Sequence, residues 1–347
     1  MGQVVLVTGV SRHLGGRLAQ VLQHERNVDR VIGVDVVPPE IDLGRAEFVR
    51  ADIRNPIIAK VIASAGVDTV VHTSVISTPL RAGGRSAMKE FNVIGTMQLL
   101  AACQKAPSVR RLVFRSSTTV YGSSPRDPAI FTEDTEPVVL PRSGYAKDVV
   151  EAEGYVRGFA RRRPDVAVTT LRFANFVGPL VETPLTGYFS MPLVPTVLGY
   201  DARLQFVHED DGLEALRRTT LGATTGTFNI AGDGVLMLSQ AIRRAGRPAL
   251  PIPSPTVAFL GQTFRRFGVG DFSPEQLRFL TYGRVVDTAQ MRERLRFHPT
   301  YTTVESFDDF VVRRGLTRAY AEAVDSSLET LEGLLRSRSS GRRAPDA

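Results

Sequence analysis

The first thirty-five residues constrain the fold more tightly than any other part of the chain. An apolar run, Val4-Val5-Leu6-Val7, leads into a glycine-bearing stretch, Thr8-Gly9-Val10-Ser11-Arg12-His13-Leu14-Gly15-Gly16. A helical stretch follows, and a second apolar run closes on an acid, Val31-Ile32-Gly33-Val34-Asp35. A strand that turns through glycines into a helix gathers backbone N–H groups and a helix N-terminus at one point, where a pyrophosphate can sit. Asp35 lies twenty residues past Gly15, about where a carboxylate meets the ribose hydroxyls. The unit predicts a dinucleotide held by Gly9, Ser11, Arg12, His13, Leu14, Gly15 and Asp35.

Strand and helix signals alternate beyond this unit. Thr69-Val70-Val71-His72 and Leu112-Val113-Phe114 are short apolar runs, separated by helical stretches over 14–24 and 86–104. A further strand is predicted over 166–173, with later short ones at Phe206-Val207-His208 and Thr227-Phe228-Asn229-Ile230. Alternation at this spacing predicts βαβ units. The expected class is α/β, a doubly wound parallel sheet (Rossmann) with a smaller loop-rich α/β C-terminal lobe. From residue 176 prolines and glycines recur, and 248–255 reads as a proline-rich connector. Helices return over 274–280, 288–295, 304–314 and 319–335. The expected division is a dinucleotide-binding domain over 1–175, with segments near 203–235 returning to it, and a substrate lobe over 176–335. Residues 336–347, with Arg336, Arg338, Arg342 and Arg343, read as a disordered basic tail.

Composition excludes several classes. Hydrophobic residues make up 43% and charged residues 23%, an ordinary globular balance. No apolar run is long enough to span a bilayer, and with the first strand so early a signal peptide is not expected. The lone Cys103 cannot form an internal disulfide, so a cytoplasmic setting is expected. The net charge of +7 suits an anionic ligand, and a specific nucleic-acid partner is not expected. No Cys/His cluster supports a metal. Val257, Leu260, Phe264 and Phe267 line one side of a possible helix, read as core or subunit contact.

Six motifs stand in a recognisable order: the Gly9–Gly15 turn; Asp52-Ile53; Val71-His72-Thr73-Ser74; Asn92-Val93-Ile94-Gly95-Thr96; Ser116-Ser117-Thr118-Thr119-Val120-Tyr121-Gly122; and Leu171-Arg172-Phe173-Ala174-Asn175-Phe176-Val177-Gly178-Pro179. Together they resemble the extended short-chain dehydrogenase/reductase superfamily over roughly residues 3–312. The nearest likeness is to actinobacterial proteins of the NAD-dependent epimerase/dehydratase kind. The resemblance implies that Asp52, Ile53 and Thr73 line the cofactor and that Asn92 supports the site. It implies that Ser117 and Asn175 touch substrate, that Lys147 holds the nicotinamide ribose, and that Arg203 reaches a diphosphate. It also implies a homodimer through helices corresponding to 86–104 and 145–161.

Two departures from the pattern stand out. Arg12 or His13 occupies the place of the middle glycine. Arg12 is read as crowding the pyrophosphate, gripping phosphate, or facing solvent. Asp35 repels a 2′-phosphate by like charge, so NAD is expected over NADP. The second departure is at Ser143-Gly144-Tyr145-Ala146-Lys147. The family's acid/base pair is Tyr and Lys four apart on one helix face, whereas Ser143 stands four before Lys147 and Tyr145 only two. Three outcomes are open: an irregular turn at Gly144 swings Tyr145 inward, Ser143 bridges a water to Ser117 and Lys147, or the reaction is lost.

The resemblance therefore implies an NAD-dependent epimerase, dehydratase or oxidoreductase acting on a hydroxyl of a nucleotide-linked sugar, with Ser117, Tyr145 and Lys147 as catalytic residues. The alternatives are a catalytically silent NAD(H)-binding sensor or scaffold, and a dehydrogenase of a non-sugar alcohol with an apolar, arginine-free pocket.

Overall fold

The computed structural model describes residues 2–77, 83–253 and 273–317. The helix expected over 319–335, the basic tail and the apolar stripe from Val257 to Phe267 lie outside the described residues. The chain opens with β1 (Gln3–Thr8), α1 (His13–Leu22) and β2 (Val28–Asp35). Next come β3 (Glu47–Arg50), α2 (Ile57–Ser64) and β4 (Thr69–His72). Helix α3 (Arg85–Lys89), a π-turn (Glu90–Gly95) and α4 (Thr96–Lys105) lead to β5 (Arg111–Ser117). After a 3₁₀ turn (Thr118–Tyr121) come α5 (Gly144–Arg162) and β6 (Ala167–Phe173).

These strands, with β11 (Gly226–Ile230), form one sheet in the order β11-β6-β5-β4-β1-β2-β3. Every pairing in it is parallel. The order reverses between β1 and β4, and such a reversal opens a crevice at the carboxyl ends of the strands. The sheet is doubly wound, as the alternating pattern predicts. Its central strands are buried on both faces, which is why β1 and β4 read as unbroken apolar runs.

The long helix expected over 86–104 is interrupted. The π-turn widens it where Asn92 reaches across to the backbone of Ile76, accepting from its N–H at 2.8 Å and donating to its C=O at 2.8 Å.

The later residues build a second core from β7 (Asn175–Val177), α6 (Pro184–Phe189), β8 (Val194–Val197), β9 (Arg203–Leu204), β10 (Phe206–His208), α7 (Glu209–Leu221), β12 (Leu236–Met237), α8 (Leu238–Arg244), β13 (Ala249–Ile252), α9 (Pro274–Tyr282), α10 (Ala289–Glu293) and α11 (Thr303–Arg313). Phe189, Phe206, Phe307 and Phe310 are fully buried there. The strand pairs are short: β10 with β7, β12 with β9, β13 with β8. The stretch read as a proline-rich connector therefore contains a strand. Its Pro251 is tolerated because β13 belongs to a two-stranded ribbon with a free edge. Within 203–235, β11 alone joins the large sheet, while β9 and β10 pair with strands of the second lobe.

Candidate functional site

At the carboxyl end of β1 the chain turns through Gly9, whose φ of +80° lies in the left-handed region that glycine adopts without strain. Its N–H donates to the Val34 carbonyl at 2.9 Å, tying the turn to β2. A Cβ on Gly9 would meet Ser74 Oγ at 2.9 Å, and one on Gly15 would meet the Gly9 carbonyl oxygen at 2.2 Å. Turn and helix are thus packed backbone to backbone. No side chain caps α1, and its first turn holds no acid, so its positive end is open to an anion. Arg12 takes an extended backbone at the helix cap, and Leu14 is buried beneath it.

Asp35 ends β2, where its carboxylate accepts from Ser11 Oγ at 2.6 Å, from Ser11 N–H at 3.1 Å and from Val36 N–H at 2.7 Å. Three donors leave one of its roughly four acceptor sites for a ribose hydroxyl. The turn and this acid fit a dinucleotide's pyrophosphate and ribose. His13 faces elsewhere than a phosphate alone would require: its Nε2 lies 3.6 Å from Glu209 at the start of α7. Glu209 is buried, and it also accepts from the Val181 N–H at 2.6 Å. Burial opposes its charge, but His13 and the Val181 and Leu180 amides hold its carboxyl below the usual range.

The remaining expected cofactor residues flank this crevice. His72 is buried, with Nδ1 at 2.8 Å from Thr8 Oγ1 and Nε2 at 2.8 Å from Thr96 Oγ1. Thr96 spends its single proton on the Asn92 carbonyl at 2.6 Å, so it accepts from Nε2–H. Burial keeps the ring neutral, so with Nε2 protonated its Nδ1 accepts from the Thr8 hydroxyl. Thr73 donates to the Thr8 carbonyl at 2.5 Å and sits against the start of α1. Asp52 is gripped by the Arg54 guanidinium, Nη2 to Oδ2 at 2.7 Å. Ile53 is a core residue that fills the space beside Gly95. Asn92 is fully buried, and besides Ile76 it donates to Asp148 at 3.3 Å.

A cavity of about 500 Å³ opens beyond the carboxyl end of β5, between the two cores. Ser117, Tyr145 and Asn175 line it together, from β5, α5 and β7. Helix α5 begins at Gly144 with φ of +63°, after an extended Ser143. The irregular start is thus the arrangement found. It brings Tyr145 into the same cavity as Ser117, close enough for the serine hydroxyl to favour the phenolate. Burial pushes the Tyr145 phenol up, while the Arg115 guanidinium and Ser117 pull it down and Asp148 pushes it up. Lys147 lies on the flank of the helix. Its Nζ is 3.7 Å from Glu151, and it is absent from the cavity lining. Ser143 reaches the cavity wall as well.

Three arginines at this cavity were not singled out in the sequence. Arg85 grips Asp148 with two hydrogen bonds of 2.6 Å and donates to the Gly144 carbonyl at 3.0 Å, bracing the start of α5. Arg284 donates to the Gly122 carbonyl at 2.8 Å, and burial pushes it down to about 10. Arg115 precedes Ser117 by two on β5. The period-two alternation of a strand could have revealed it, because it must share the face of Ser117. Arg203 lines a separate polar pocket of about 140 Å³ with Asp127 and Tyr282.

Behind β5, Ser116 faces the other way and donates to Glu153 at 2.5 Å. Glu153 pairs with Arg172 at 2.8 Å, and Arg172 donates to the Tyr121 hydroxyl at 2.9 Å. This buried network fixes the turn that follows Ser117.

Among the described residues no helix is long and apolar enough to cross a membrane, and no group of three His, Cys, Asp or Glu is placed to hold a metal. The model of the NAD-dependent epimerase/dehydratase family matches residues 5–230. An uncharacterized protein of Mycobacterium tuberculosis is 54% identical over 319 residues, covering 91% of this chain and 85% of its own. A UDP-glucose 4-epimerase from Thermotoga maritima, solved with UDP-glucose, superposes with a TM-score of 0.69 at 18% identity, over 90% of this chain and 98% of that one. A dTDP-glucose 4,6-dehydratase from Streptomyces venezuelae, solved with NAD, gives 0.68 at 23% identity, over 92% and 98%.

Proposed function

The chain belongs to the NAD-dependent epimerase/dehydratase family, and from that premise we propose that it is an enzyme acting on a hydroxyl of a nucleotide-linked sugar. Its cofactor is NAD. The Gly9–Gly15 turn and the open end of α1 hold the pyrophosphate, and Asp35 holds the ribose. NAD supplies a reversible hydride acceptor. Ser117 orients the reacting sugar hydroxyl by a hydrogen bond, and Tyr145 accepts its proton. Asn175 contacts the sugar where the two cores meet.

The observation that carries this reading is the meeting of Tyr145 with Ser117 in one cavity, although the family's helical spacing is lost. The arginines at the same cavity support an anionic substrate and weigh against an apolar alcohol. The buried thiol of Cys103 fits a reducing cytoplasm. The π-turn before α4 and helix α5 present Ile94 and Tyr155 at the surface expected to form a homodimer. One observation favours a silent cofactor binder: Lys147 stands outside the cavity.

Incubation with NAD and a panel of UDP-, GDP- and dTDP-sugars separates the two readings, with NADH absorbance and product analysis as readouts. Turnover of one member is expected. Tyr145→Phe lowers it by about a hundredfold or more while NAD affinity is kept. NAD binding with no turnover of any sugar would establish the silent binder.

A further inference from the structure

We propose that Arg115 is the positioning residue of the proton carrier, supplying from β5 the positive charge that a lysine one helical turn past the tyrosine supplies in the family's arrangement. The inference rests on the reading of Tyr145 as proton carrier.

Helix α5 has no room for that charge. The position one turn past Tyr145 is Val149, which is fully buried in the main core. Asp148, three residues past Tyr145, is also fully buried, and its charge opposes that of a phenolate. Arg85 neutralises Asp148 with its two hydrogen bonds, so that pair brings little net charge to the tyrosine. Lys147 is spent on Glu151 outside the cavity.

Arg115 differs from the other two arginines of the cavity. It shares the face of Ser117, because residues two apart on a strand point the same way. Its guanidinium lies over the Phe176 ring at 5.2 Å and donates to the Val75 carbonyl at 3.3 Å. Its Nε is buried and has no hydrogen-bond partner among the described residues. No carboxylate among the described residues forms an ion pair with it, whereas Arg284 feels Asp127 and Glu275 and Arg85 is paired. A buried cation without a counterion favours any neighbouring group that can become an anion. Tyr145 is that group: each of the two stabilises the other's charged form. The charged groups around Tyr145 are thus Arg115 from β5, Asp148 from its own helix, Arg85 from α3, and Glu275 and Arg284 across the cavity.

The test reads the phenolate directly and needs no substrate. Tetranitromethane nitrates phenolate, so the rate at Tyr145, mapped by peptide mass spectrometry at fixed mildly alkaline pH, follows its ionised fraction. Tyr155, on the same helix and 38% exposed, is the internal reference. Arg115→Gln is expected to slow Tyr145 nitration about tenfold relative to Tyr155, one unit of pKa. Arg115→Lys restores most of the rate, which a pure packing role would not do. Lys147→Met leaves it within about twofold. An unchanged rate in Arg115→Gln, equal loss in Arg115→Lys, or a tenfold loss in Lys147→Met would overturn the proposal. Should Arg115→Gln fail to fold, the Lys147→Met and Arg115→Lys rates still decide. Sugar turnover plays no part in this measurement, so a failed sugar panel and a failed nitration series are separate results.

Discussion

Gly15→Ala tests the cofactor turn at its tightest point. The added Cβ would fall 2.2 Å from the Gly9 carbonyl oxygen, 2.8 Å from its carbon and 2.9 Å from Thr73 Oγ1. The first two neighbours are backbone and cannot rotate away. The oxygen is more than an ångström inside ordinary contact, so α1 must slide from the turn or the turn must open. Overpacking of this kind costs about 1–3 kcal/mol. If the turn cradles the pyrophosphate, the same displacement weakens NAD by about ten- to a hundredfold, at about 1.4 kcal/mol per factor of ten. Urea unfolding and calorimetric titration with NAD read the two effects separately. Gly66→Ala is the control: Gly66 has φ of +63° but nothing within 4 Å of its Cβ, so it adds only backbone strain of about 1–2 kcal/mol and leaves NAD affinity unchanged. A Gly15→Ala protein that binds NAD like wild type would refute the turn as the phosphate site, whatever its stability.

Two predictions concern buried polar groups. Arg172→Met leaves the buried Glu153 with Ser116 and the exposed Arg157, at 3.2 Å, as its remaining partners, and is expected to cost about 1–3 kcal/mol in urea unfolding; a loss below about 0.5 kcal/mol would contradict the account of that network. Burial and the nearby Arg115 push His72 down to about 3, so the folded protein keeps this ring neutral while the unfolded chain protonates it near pH 6.5. Its contribution to stability is therefore complete above about pH 6.5 and is lost as pH falls toward about 3, with about 1.4 kcal/mol gone near pH 5.5. Unfolding midpoints at about pH 7.5 and 5.5 should differ less in His72→Gln than in wild type, and equal differences would show that the ring is protonated in the fold.

The parts legible in the sequence are those that local physics dictates. Strands β1, β2 and β4 announce themselves because a parallel strand covered on both faces has few polar positions. The edge strand β3, Glu-Phe-Val-Arg, does not, because it is paired on one side and exposed along most of its length. Strands β8 and β13 each carry a proline and read as loop, since only their partnership in a two-stranded ribbon makes them strands. Asp35 and the glycine turn are legible because each follows from spacing within one βαβ unit, whereas Ser117 is legible only through the strand-end motif of the family resemblance. Arg85 and Arg284 were not, because they come to the cavity from segments some 200 residues apart. The direction of Tyr145 was undecidable from spacing, because it depends on a single dihedral at Gly144.

That dihedral has a broader consequence. Where one left-handed residue aims a phenol, the aim no longer depends on the phase of the helix behind it. Partners that a helix would bind to a fixed interval can then be drawn from a neighbouring strand, and the interval itself is released to drift. Searches keyed to that interval would pass over a pocket whose walls still converge on the same two hydroxyls.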